Sequence, residues 1–109
     1  MIRPLALIAA CAATPALAHK LVVFAEATCN AVTVEAKFSS GRVPVEGEIR
    51  IKDGSEALLA TFPLDATAAQ SIPLDGLATE DGLLVEVDTG SHENYWILTP
   101  ADLSAACQG

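Results

Sequence analysis

Between Cys29 and Phe38 the chain alternates without a fault: Val32, Val34, Ala36 and Phe38 fall on one side, Thr33, Glu35 and Lys37 on the other. Successive side chains of an extended chain point to opposite faces, so a period of two over this length is a strand with one buried face. A strand of that kind is not stable alone. Its apolar face has to be covered by a second layer, which the rest of the chain must supply.

The remaining segments are of the same kind. Lys20 to Glu26 (KLVVFAE) is apolar and β-branched with no helical period, and reads as a strand. Ser39 to Arg42 is a turn, and Val43 to Gly47 an extended connector in which Pro44 excludes a central strand. Glu48 to Lys52 alternates again, Ile49 and Ile51 inward and Glu48, Arg50 and Lys52 outward, before the hairpin-type turn Asp53-Gly54. Ala57 to Leu64 is a strand ending at Pro63, Ala66 to Gln70 a connector, and Ser71 to Leu74 a short strand. Asp75-Gly76 and Asp81-Gly82 bracket a loop, Leu83 to Val87 is a strand, Thr89 to Glu93 a loop, and Asn94 to Leu98 the last strand. Thr99, Pro100 and Asp102 then carry the N-cap, first-position and third-position signals of a short helix.

Short strands spaced by about ten residues, with turn chemistry between them, predict an all-β chain: a seven-stranded antiparallel sandwich, immunoglobulin-like or transthyretin-like. Helical crossovers are missing, which excludes a parallel α/β sheet.

The first eighteen residues read differently. Arg3 supplies a positive start, Leu5 to Ala13 an apolar stretch, and Ala16-Leu17-Ala18 a small-residue cleavage motif. Residues 1–18 are therefore expected to be a signal peptide and 19–109 the mature domain, exported to the periplasm or its equivalent. A competing reading takes Ile8-Ala9-Ala10-Cys11 as a lipobox with Cys11 lipidated. The full chain carries a net charge of −8, which becomes −9 when Arg3 leaves with the leader. Such acidity argues against nucleic acid and anionic membrane surfaces as partners.

Cleavage also leaves two cysteines, Cys29 and Cys107, far from any C-x-x-C spacing. In an exported small domain the pair is expected to form a disulfide, closing a long loop and adding about 4 kcal/mol in the chain-entropy description.

The chain lacks G-x-S-x-G, H-E-x-x-H and phosphate-cradling glycine motifs, and with two histidines a Ser-His-Asp set has little support. An enzyme is not expected. The histidines themselves are the chemistry on offer. Cleavage after Ala18 makes His19 a terminal residue, with an α-amine and an imidazole at one position. With the imidazole of His92 this gives three nitrogen donors, suited to nickel, cobalt or copper rather than magnesium or calcium. Glu93 is placed to add an oxygen or to orient the His92 ring. Either histidine alone could be incidental; as the two of the mature chain they are read together. Trp96 is expected in the core of the last strand, and Arg42, Arg50 and Lys52 are expected to form a charge-balancing outer face.

Three segments bear a family likeness. His19-Lys20-Leu21-Val22-Val23-Phe24-Ala25 resembles the opening of small exported accessory proteins of nickel/cobalt uptake systems of the energy-coupling-factor type. Glu35-Ala36-Lys37-Phe38-Ser39-Ser40-Gly41 looks like their E-x-x-F-S-x-G element, and residues 82–98 resemble their closing strand, Gly-x-His turn and aromatic last strand. Where the family has a glycine-rich acidic turn, this chain has Thr28-Cys29-Asn30. The resemblance implies an immunoglobulin-like sandwich related to carboxypeptidase regulatory domains, His19 and His92 as candidate ligands, and a membrane metal permease complex as partner. A periplasmic copper protein of the histidine-brace type, and an interaction module without metal, are the alternatives.

Overall fold

The computed structural model describes residues 20–108. The proposed leader, Cys11 and His19 all lie outside the described residues. Seven strands and one helix follow in order: β1 (Leu21–Ala27), β2 (Ala31–Phe38), β3 (Glu48–Asp53), β4 (Leu58–Pro63), β5 (Ala69–Pro73), β6 (Leu83–Asp88), β7 (Glu93–Leu98) and α1 (Pro100–Ala106). They form a sheet of order β1-β2-β5 and a second of order β4-β3-β6-β7, all pairings antiparallel. The chain changes sheet at the β2–β3, β4–β5 and β5–β6 connections. This is a seven-stranded antiparallel β-sandwich with layers of three and four strands.

The alternation that predicts the strands also fills the core. β1 contributes Leu21, Val23 and Ala25, β2 contributes Val32, Val34 and Ala36, and the facing sheet answers with Ile49, Ile51, Leu83, Val85 and Val87. Among the described residues no polar or charged residue is buried. Each large aliphatic side chain enclosed here stabilises by about 1.5–3 kcal/mol relative to exposure.

Two details differ from the expectation. β5 starts at Ala69 rather than Ser71, because Ala69 and Gln70 already pair with Glu35 and Val34. Gln70 also ties down the preceding connector: its amide nitrogen donates to the Pro63 carbonyl at 2.9 Å and its oxygen accepts from the Asp65 N–H at 3.0 Å. Trp96 is not a core residue. It is 39% exposed and meets Phe24 edge to face, ring centroids 4.9 Å apart. Its strand, β7, is the edge of its sheet, so a side chain there opens onto the flank of β1 instead of the middle of the sandwich.

That flank is a closed seam. The Asn94 side-chain amide donates to the Leu21 carbonyl at 2.9 Å, and the Phe24–Trp96 contact continues the join along both strands. β1 and β7 therefore run side by side in the same direction, although they belong to different sheets. The helix is capped as expected: Thr99 Oγ1 accepts from the Asp102 N–H at 3.1 Å, and Asp102 Oδ2 accepts from the Thr99 N–H at 2.9 Å. None of its residues is fully buried, and a disulfide between Cys107 and Cys29 fastens its end to the β1–β2 turn. Among the described residues no helix is long and apolar enough to cross a membrane.

Candidate metal-binding end

His92 sits in the turn between β6 and β7, and its backbone is held on both sides. The Thr89 N–H donates to the His92 carbonyl at 2.8 Å. The Thr89 hydroxyl accepts from the His92 N–H at 3.1 Å and donates to its carbonyl at 3.2 Å. Gly90, with φ of +96°, makes the tight reversal, and Asp88 Oδ1 accepts its N–H at 2.8 Å. The ring is located as well. Ser91 Oγ lies 3.0 Å from His92 Nδ1, and the imidazole meets Phe38 edge to face at a centroid distance of 5.2 Å. With Nδ1 engaged by Ser91, Nε2 is the nitrogen left for a metal.

Phe38 connects this turn to the start of β1. It ends β2, opposite Leu21 in register. The next residue, Ser39, donates its N–H to the Lys20 carbonyl at 2.7 Å, and its hydroxyl accepts from the Lys20 N–H at 3.2 Å. Lys20, the residue after His19, and the His92 ring thus occupy the same end of the sandwich, both adjoining the Phe38–Ser39 corner. The Asn94–Leu21 bond fixes the same proximity from the other strand.

Glu93 points elsewhere. Neighbours on a strand face opposite ways, and Glu93 Oε2 is bonded to Arg50 Nη2 at 2.7 Å on the outer face of the four-stranded sheet. To reach a metal at His92 its carboxylate has to leave Arg50. The partner that orients the imidazole is Ser91, a residue that sequence reasoning missed. Among the described residues no group of three or more His, Cys, Asp or Glu side chains is arranged to hold a metal ion.

Arg50 is the hub of the outer face. Besides Glu93 it bonds Glu48 at 2.6 Å, Glu86 at 3.0 Å and Asp88 at 3.3 Å, while Lys52 takes the second oxygen of Glu86 at 3.2 Å. Hydrogen bonds to Glu48 and Glu86 raise the Arg50 pKa further above its ordinary value. Burial pushes the Glu86 carboxyl up, but Arg50 and Lys52 together reverse this and leave it lowered. The Asp88 carboxyl is lowered first by the Gly90 N–H, against some burial, and then by Arg50. Asp88 and Glu93 bracket the His92 turn, so the Arg50 cluster braces that turn from the opposite face.

The expectation that Arg42 shares this charge-balancing face is not met. Arg42 lies in the loop after β2, beside His92, and Arg50 and Lys52 hold all the ion pairs of the described residues. Together Arg42 and His92 edge a groove of about 430 Å³ whose wall is Phe38, Val43, Pro44 and Val45. Nothing in the alternation pattern marks this groove, because it forms between two loops rather than along a strand.

No protein-family model, no curated protein and no solved structure matches this chain.

Proposed function

We propose that this protein is an exported metal-binding accessory module that captures nickel or cobalt and assists its uptake by a membrane permease complex. The donors are the α-amine and imidazole of His19 and the Nε2 of His92, with Glu93 supporting through its hold on the strand that follows His92. The observation carrying this reading is that Lys20, next to His19, and the His92 ring adjoin the same Phe38–Ser39 corner. His19 precedes Lys20 directly in the chain, and that adjacency is what supports the shared site. Nitrogen donors of this kind suit late first-row divalent ions. Their protons must be lost on binding, so affinity falls as pH is lowered. The transport role rests on the sequence resemblance.

The test is calorimetric titration of nickel, cobalt and copper into protein beginning at His19 and into its His92→Ala variant. The reading expects nickel or cobalt affinity to drop at least about tenfold in the variant, the loss of one of three ligands. It also expects a comparable drop when a single residue is left ahead of His19 and blocks the amine. Unchanged affinity for all three metals in both proteins would refute it. Copper binding that far outlasts nickel and cobalt, with nitrogen hyperfine structure in the paramagnetic resonance spectrum, would favour a copper carrier instead.

A further inference from the structure

The outer face of the four-stranded sheet has two unlike halves. Leu83, Val85 and Val87 are buried, which turns Leu84 and Glu86 outward, and the register sets Ile97 beside Leu84 and Tyr95 beside Glu86. Toward the β6–β7 turn the acids of this face are held by Arg50 and Lys52. At the other end the β3–β4 turn meets the loop before β6, where Gly54 lies so close to the Asp81 backbone that no Cβ fits between them. That approach puts Asp53, Glu56 and Asp81 on one groove of about 480 Å³. None of the three pairs with Lys or Arg among the described residues, and no cationic side chain lines the groove. Its other wall includes Tyr95 and Ile97, which are 54% and 57% exposed. Exposed aromatic and branched aliphatic side chains inside a rim of unpaired charge have the make-up of a docking surface.

We propose that this groove docks a cationic amphipathic helix of a partner protein. Charge sets the sign of the partner. Its Lys or Arg side chains meet Glu56 and Asp81, and the net charge of −8 steers such a segment toward the protein. Its apolar face covers Leu84, Tyr95 and Ile97, and Tyr95 is the kind of residue that carries binding energy once water is excluded. The strand edges set its form. β7 is joined along its flank to β1, and the free edge strand β4 contributes no residue to the groove, so an extended segment finds no open edge to pair with here. A helix satisfies its own backbone and needs only a face of side chains. Tyr95 and Ile97 face away from the His92 ring, and the docking reading is independent of the metal reading.

Fluorescence anisotropy of a labelled Leu/Lys peptide of about 18 residues, its leucines spaced to form one helical face, tests the proposal. A peptide of the same composition, reordered so that no apolar face forms, is the control for charge alone. The expected result is saturable binding of the first peptide and at least about tenfold weaker binding of the second. Tyr95→Ser should weaken binding about tenfold, and the double variant Glu56→Gln/Asp81→Asn about fivefold. Glu46→Gln/Asp75→Asn, which removes the same charge outside the groove, should change it less than about twofold. The groove variants keep the fold, because Glu56, Asp81 and Tyr95 are exposed and the turn at Glu56 is held by its own N–H, which donates to the Asp53 carbonyl at 2.9 Å. Equal binding of the two peptides, equal weakening by the two charge variants, no effect of Tyr95→Ser, or no saturable binding would each overturn the proposal.

Discussion

Replacing Arg50 with methionine keeps the aliphatic stem and removes the charge that four carboxylates share. Glu48 and Glu93 are about half exposed, and each of their pairs is worth about 0.5 kcal/mol. Glu86 is the shielded partner, 16% exposed against an arginine 20% exposed, and a charged hydrogen bond in that setting contributes about 1.5 kcal/mol. The expected loss at pH 7 is therefore about 2–3 kcal/mol. The pH dependence gives the sharper test. In the native protein the Glu86 and Asp88 pKa values are lowered, so their contribution is present above the unfolded-state values of 4.5 and 3.8 and is lost as pH falls through the folded ones. Without the guanidinium the same carboxylates crowd one face with only Lys52 to offset them. Burial then acts on Glu86 with only Lys52 against it, so its folded-state pKa rises and the variant loses stability as pH rises through it, while Asp88 keeps the Gly90 N–H. The difference between the two proteins should be largest at pH 7 and shrink to below about 1 kcal/mol near pH 4. Urea denaturation followed through Trp96, the single tryptophan, measures both. A difference that is the same at pH 4 and pH 7, or below about 0.5 kcal/mol at pH 7, would show that the cluster is a solvated surface feature and that the argument is wrong.

Two further outcomes follow from the same structure. Replacing Cys29 and Cys107 with serine opens a link that spans 78 residues of sequence, and should lower stability by about 4 kcal/mol in guanidinium titrations; helix α1, with no fully buried residue, should lose amide protection before the strands do. Asn94→Ala removes the side-chain bond to the Leu21 carbonyl and should cost about 1 kcal/mol, with faster hydrogen exchange at the start of β1 and unchanged exchange in β3.

The strands were legible because burial acts through a period of two. Val32, Val34 and Ala36 must face one way, and one slip of register would expose all three. The capping residues of α1 and the cysteine pair were equally readable, since both act through local chemistry or through a simple count. What was not legible depends on which strand lies at an edge. Trp96 has the inward position of its strand, yet β7 borders β1 at the flank of the sandwich, and no local pattern announces an edge. The sequence puts Arg42 in a turn and Arg50 on the outer side of a strand, but it does not say which acids either meets. One sits in a loop and the other in the second strand of a four-stranded sheet, where alternation on three strands brings acids to it.

The candidate site shows the same division between local and long-range information. Sequence marks His92 as a loop residue, and the structure holds it there by Thr89, Ser91 and Gly90, all within three positions. Its contact with Phe38, which lies 5.2 Å away between ring centroids, joins segments that are far apart in the chain. That contact decides what His92 adjoins, and only the stacking of two sheets produces it. Alternation then separates two tasks within one hairpin. Asp88 and Glu93 turn outward to Arg50 and brace the turn, while His92 and Asn94 turn toward β1 and β2. A ligand on a loop is only as well placed as the residues that hold its backbone. Here the charged braces, Asp88 and Glu93, face away from the ring, so the groove beside His92 is left without a carboxylate on a strongly acidic protein.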